Sequence, residues 1–129
     1  MTILVALLLC AAFILFVWLW LIAPQMKKRP DLTEFRRYDY AHRGLHNNEK
    51  GIPENSLMAF RLAAEKGFGI ELDLQLTSDR KVVVHHDHSL KRLCGKDLKI
   101  SDLTLEELQK YRLLDSNEQV PTLEQALQA

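Results

Sequence analysis

Glu71 and Asp73 lie two residues apart in the run Ile70-Glu71-Leu72-Asp73-Leu74-Gln75-Leu76. A strand puts residues two apart on one face. Ile70, Leu72, Leu74 and Leu76 would then form an apolar side, and Glu71, Asp73 and Gln75 a polar one. Two neighbouring carboxylates repel, and when buried they need a cation or a shared proton. Such oxygen ligands suit a hard divalent ion, Mg²⁺ or Ca²⁺. A solvated strand face would carry the same residues with no chemistry, so the pair acquires meaning only with partners. One candidate partner is His42-Arg43-Gly44. The planar fork of Arg43 fits two phosphate oxygens, a histidine is a general acid or base near neutrality, and Gly44 allows close backbone approach. The other is Val82-Val83-Val84-His85-His86-Asp87, an apolar strand ending in polar residues. That layout belongs to sites at the C-terminal ends of strands. Asp87 either orients His86 or caps the following loop. His85, His86 and His88 lack a cysteine or further histidine at zinc-site spacing.

The elements that must position these groups can be read from the same stretch. Tyr38–His42 is expected as a first strand, followed by a polar loop from His46 to Pro53 with Gly44 and Gly51 as turn formers. Asn55 is expected to cap a helix running to Lys66, with Leu57, Phe60 and Ala64 as its apolar stripe. Ile70–Leu76 and Lys81–His85 follow as strands around a Ser78-Asp79-Arg80 turn. Thr104-Leu105-Glu106-Glu107 and Thr122-Leu123-Glu124-Gln125 are capping boxes, each opening a short helix. Strands interleaved with helices imply an α/β class.

The 17 basic and 17 acidic side chains all fall after Ala23. From Ile3 to Ala23 the chain is apolar, and as a helix it reaches roughly 30 Å, the thickness of a bilayer core. A signal peptide would need a basic start, a shorter apolar core and a small-residue cleavage site. Residues 1–23 are therefore expected to be a single-pass transmembrane helix, with Trp18 and Trp20 suiting an interfacial belt. Lys27, Lys28, Arg29, Arg36 and Arg37 follow, so residues 24–38 read as a basic juxtamembrane linker and the remainder is expected on the cytoplasmic side. The balanced charge of that remainder argues against a nucleic-acid partner. Cys10, in the span, and Cys94, beyond it, are not expected to pair.

Taken in order, His-Arg, Glu-x-Asp and His-Asp resemble the signature of the glycerophosphodiester phosphodiesterase family. The matching pieces are Ala41-His42-Arg43-Gly44, Pro53-Glu54-Asn55-Ser56 with Ala59-Phe60, and Ile70 to Thr77. Val84 to Leu90 with Lys91-Arg92, and Pro121-Thr122-Leu123-Glu124, complete the set. The resemblance implies a (β/α)8 barrel of the TIM type, with residues 39–129 as its N-terminal part and three or so βα units. It implies His42 and His86 as the acid/base pair, Arg43 as phosphate ligand, and Glu71 and Asp73 as ligands of a divalent metal ion. The implied reaction releases glycerol 3-phosphate and an alcohol from a glycerophosphodiester. Lysophospholipase D action on membrane lysolipids is the nearest alternative. Glu54 and Asn55 would shape the loop and cap the helix. Leu93-Cys94 departs from the threonines usual there. The family's later Glu-x-Lys strand is not reached, so a truncated chain, inactive or unstable alone, is expected; a non-catalytic membrane fragment is the reading from another class.

Overall fold

The computed structural model describes residues 2–23 and 30–129, which fall into two compact units divided between Thr33 and Glu34. The first contains helix α1 (Thr2–Ile22), none of whose residues is buried. It is long and apolar enough, by length and composition, to cross a membrane. Lys27, Lys28 and Arg29, on which the expected orientation leans, lie outside the described residues.

The second unit is built around a parallel pair. β1 (Tyr40–His42) runs beside β2 (Gly69–Glu71), with His42 opposite Glu71. Parallel strands need a crossover, and helix α2 (Leu57–Glu65) provides it. A Cβ at Gly69 would lie 2.5 Å from Cε1 of Tyr40, so only glycine lets that ring lie against β2. The helix is capped by Ser56, whose Oγ accepts from the Ala59 N–H, and not by Asn55 as expected. Asn55 sits one residue too early, at φ +54°, and its side chain turns to Asp73. The buried side of α2 is Ala59, Phe60 and Ala63; Leu57 is half-buried and Ala64 exposed, which shifts the stripe from the expected one.

The expected strand Ile70–Leu76 is two strands. β2 stops at Glu71, and β3 (Leu74–Leu76) resumes beyond Leu72 and Asp73. β3 pairs antiparallel with β4 (Val82–Val84) through a turn closed by Thr77 N–H to Lys81 O at 3.1 Å. A connection this short forces a hairpin. The described residues therefore hold one βαβ unit and one hairpin where three or so βα units were expected.

β4 lies between β3 and the segment before the last helix, since Val84 donates to Pro121 O at 2.8 Å. Beneath it gather Val83, Leu90, Leu93, Ile100, Leu108, Leu113 and Val120. Helices α3 (Lys91–Cys94), α4 (Leu105–Leu108) and α5 (Leu123–Leu127) complete the unit. Both capping boxes form, Thr104 with Glu107 and Thr122 with Gln125. Cys94 is half-buried against this cluster, and burial pushes its thiol up to about 11, which keeps it protonated and unreactive at neutral pH. Neither cysteine is bridged.

Phe60 is the largest fully buried side chain, and its ring anchors α2 against the Gly44 turn that follows β1. Phe60→Ala should cost about 3–5 kcal/mol of unfolding free energy. Denaturant titration in detergent measures it, and a loss under about 1 kcal/mol, typical of surface changes, would refute this anchoring role.

Candidate active site

The last residues of the two parallel strands begin the site. His42 ends β1 and Glu71 ends β2, so both stand at strand C-terminal ends, with His42 Nε2 4.0 Å from Glu71 Oε2. The chain then turns through two left-handed residues, Arg43 at φ +57° and Gly44 at φ +80°. A side chain in that region costs on the order of 1–2 kcal/mol. The turn is fixed from two sides. The Arg43 N–H donates to Glu71 Oε2 at 3.1 Å, and the Asn55 N–H donates to Arg43 O at 2.9 Å. Gly44 lies tight on α2; a Cβ there would come within 2.9 Å of Ala59 Cβ and of Phe60 Cδ1.

This turn lays the Arg43 guanidinium between two carboxylates. Nη1 donates to Glu54 Oε1 at 2.8 Å, and Nε is 3.3 Å from Asp73 Oδ2. Asp73 Oδ2 also accepts from Asn55 Nδ2 at 3.0 Å. The break after β2 thus keeps Glu71 and Asp73 on opposite flanks of one arginine: the first meets its backbone, the second its side chain.

The hairpin returns the chain to the same place. Because β4 is antiparallel to β3, its end meets the start of β3, and the His85 N–H donates to Asp73 O at 2.9 Å. His86 follows, with Nδ1 2.7 Å from Asp87 Oδ1. Asp87 is held well below the usual carboxylate range, first by hydrogen bonds from Arg92 and then by His86. It is therefore ionised and accepts only, so Nδ1 of His86 carries a proton, while Nε2 makes no hydrogen bond among the described residues. Arg92 connects the halves. Its Nη1 and Nη2 each reach Glu54 at 2.8 Å, while Nε and Nη2 reach Asp87 at 2.7 and 3.1 Å.

His42, Arg43, Glu71, Asp73 and His86 are thus linked through one set of contacts. Sequence reasoning gave Arg92 no role, and Glu54 only a loop role. The available signal was a Pro-Glu-Asn-Ser loop and an arginine soon after His-Asp, neither of which discloses a pairing across 38 residues. His85 is buried, its ring nitrogens have no hydrogen-bond partner among the described residues, and burial pushes its pKa down, so the ring is neutral and outside this set. His88 is exposed.

Among the described residues no three His, Cys, Asp or Glu side chains converge as a metal cage. The donors present still fit a hard cation. Neither Glu71 Oε1 nor Asp73 Oδ1 accepts a hydrogen bond among the described residues, and Oδ1 of Asn55 is buried without a partner beside them. Mg²⁺ is commonly held by one or two carboxylates, with water and phosphate oxygens completing the shell.

The carboxyl of Glu54 is held down to about 2 from 4.5, chiefly by hydrogen bonds from Arg92 and then from Arg43. A depressed pKa favours the fold above the unfolded value, and the advantage is lost as pH falls through the folded one. The difference in unfolding midpoint between wild type and Glu54→Gln should be constant above pH 4.5 and shrink towards pH 2. Thermal unfolding across that range measures it, and a difference that does not change with pH would contradict the pairing.

The sequence profile of the glycerophosphoryl diester phosphodiesterase family matches residues 42–129. A glycerophosphodiester phosphodiesterase of Caldanaerobacter subterraneus subsp. tengcongensis is 41% identical over 90 residues, covering 64% of this chain and 36% of that protein. Among solved structures, the Oleispira antarctica phosphodiesterase in complex with its product sn-glycerol-3-phosphate aligns at TM-score 0.62 and 31% identity, over 70% of this chain and 38% of that one. The Thermotoga maritima glycerophosphodiester phosphodiesterase aligns at TM-score 0.58 and 43% identity, again over 70% and 38%. The chain spans well under half the length of these relatives. With its signature residues gathered at one strand rim and the family profile covering most of its length, this chain belongs to the glycerophosphodiester phosphodiesterase family.

Proposed function

We propose that the protein hydrolyses glycerophosphodiesters to glycerol 3-phosphate and an alcohol at the rim formed by His42, Arg43, Glu71, Asp73 and His86. The observation that carries this reading is the meeting of one arginine with two carboxylates, Arg43 through its backbone N–H with Glu71 and through its guanidinium with Asp73, at the strand ends of a chain in this family. The product bound by the Oleispira enzyme is the one this reaction would release.

Arg43 binds a non-bridging phosphate oxygen, already oriented by Glu54 and Asp73. Glu71 and Asp73 hold a divalent cation, Mg²⁺ or Ca²⁺, which when bound neutralises charge on the phosphodiester. His42 is the more exposed imidazole and takes the proton from the attacking group. That group is water or the substrate's own glycerol hydroxyl; either presents an O–H to His42. His86, in its doubly protonated form, keeps Nδ1–H on Asp87 and delivers the Nε2 proton to the leaving alcohol oxygen.

The whole catalytic domain is a (β/α)8 barrel in this reading, with the βαβ unit at its start; likeness to the solved phosphodiesterases supports it. α1 serves as a single-pass membrane anchor, and Arg36 and Arg37 beyond it favour a cytoplasmic site. An anchor keeps the site beside lipid, and this favours lysolipids as a second substrate class.

His42→Ala and His86→Ala should each lower turnover of glycerophosphocholine by about 10²–10⁴-fold, followed by glycerol 3-phosphate release. Near wild-type turnover in either variant would end the assignment. A chelator should abolish activity and added Mg²⁺ or Ca²⁺ restore it; activity indifferent to chelation would remove Glu71 and Asp73 as ligands. Faster release of choline from lysophosphatidylcholine than from glycerophosphocholine would make the lysolipid reading the correct one.

A further inference from the structure

Arg92 stands outside the reacting groups yet touches the partners of two of them. It lies in α3, 38 residues from Glu54 and five from Asp87, and makes four hydrogen bonds to these two carboxylates. To Glu54 it presents both terminal nitrogens; to Asp87 it presents Nε and Nη2. Two bidentate forks on one planar guanidinium leave little rotational freedom to either carboxylate. The anchoring end is Glu54, whose side chain is 6% exposed and is also held by Arg43. The working end is Asp87, whose Oδ1 accepts from both Arg92 Nη2 and His86 Nδ1.

We propose that Arg92 is a positioning residue: through the Glu54–Arg92–Asp87 bridge it fixes the His86 ring with Nδ1–H held by Asp87 and with Nε2, which carries the transferred proton when the ring is doubly protonated, turned to the substrate. This rests on the reading of His86 as the proton donor to the leaving group. The bridge also passes through Glu54 to Arg43, so one guanidinium sets the spacing between the phosphate clamp and the proton donor. Lysine would not substitute: an ammonium is a point charge and cannot fork to both carboxylates.

Nitrogen NMR of ¹⁵N-histidine in the full chain, held in detergent micelles, reads the tautomer directly; the His86 signal is the one lost in His86→Ala. When the ring is neutral, wild-type His86 is expected in the Nδ1–H form. Arg92→Ala is expected to shift it towards the Nε2–H form favoured by free imidazole. The same change should lower kcat roughly 10–100-fold, as loss of an outer partner does, with KM within about twofold. Arg92→Lys should fall between the two and carries the test where Arg92→Ala does not fold. An unchanged His86 tautomer in a folded variant overturns the proposal, whatever the rate. A shifted tautomer with undiminished kcat, or full activity in His86→Ala itself, instead overturns the reading of His86 as proton donor.

Discussion

One buried carboxylate organises this domain. Glu54 accepts from Arg43 and from both terminal nitrogens of Arg92, with its side chain only 6% exposed. An ionised carboxylate withdrawn from water is costly unless paired and fully hydrogen-bonded. Removing one guanidinium would leave that charge under-compensated, so the two arginines are bound to the same place. One comes from the turn after β1, the other from α3, beyond the hairpin. The β1–β2 and β3–β4 sheets share no hydrogen-bonded strand. Glu54 thus supplies a link between the two halves that strand pairing does not.

Two local features bring the partners to it. The left-handed pair Arg43 and Gly44 ends β1 abruptly, aiming the Arg43 N–H at Glu71 and its guanidinium at Glu54 and Asp73. The backbone strain is offset by bonds to Glu71 and Asn55, and strain held in this way is characteristic of sites that need a fixed geometry. The hairpin is the second feature. It reverses the chain between Asp73 and His85, and the backbone bond joining these residues continues the β3–β4 ladder past its last named pair. Without the break at Leu72 and Asp73, β3 would extend the line of β2 and the histidines would return elsewhere.

Local rules explain what was legible in the sequence. Both capping boxes formed because Thr, Glu and Gln satisfy helix N–H groups within four residues of chain. The polar ends of β1 and β4 could be read because an apolar run stops where the polar cluster starts. The break between β2 and β3 could not be read, since alternation in Ile70–Leu76 is the same for a straight strand and for two short ones. Its consequence is visible in Leu74 and Leu76, expected inward but 52% and 56% exposed. The helix start was misplaced by one residue because Asn55 and Ser56 are both good caps. Only the left-handed backbone at Asn55, imposed by its bond to Arg43, decides between them. Arg92 was beyond reach for another reason: pairing across 38 residues leaves no periodicity to detect.

Exposure varies across the cluster. Glu54 and Arg43 are 6% and 17% exposed; Glu71 and His42 reach 47% and 69%. Glu54, which holds both arginines, is buried, where low dielectric strengthens each hydrogen bond. Glu71 and the two histidines proposed to exchange protons face solvent, and Asp73 lies between, at 26%. Charge is sorted as well. Arg92 and Arg43 balance Asp87 and Glu54, leaving Glu71 and Asp73 as a surplus of two negative charges on the open side. A divalent cation would cancel that surplus and leave Arg43 free to attract phosphate. The same four carboxylates without the buried pairing would repel a phosphodiester, so the ion pairs at Glu54 and Asp87 are as necessary to the proposed chemistry as the residues at the rim.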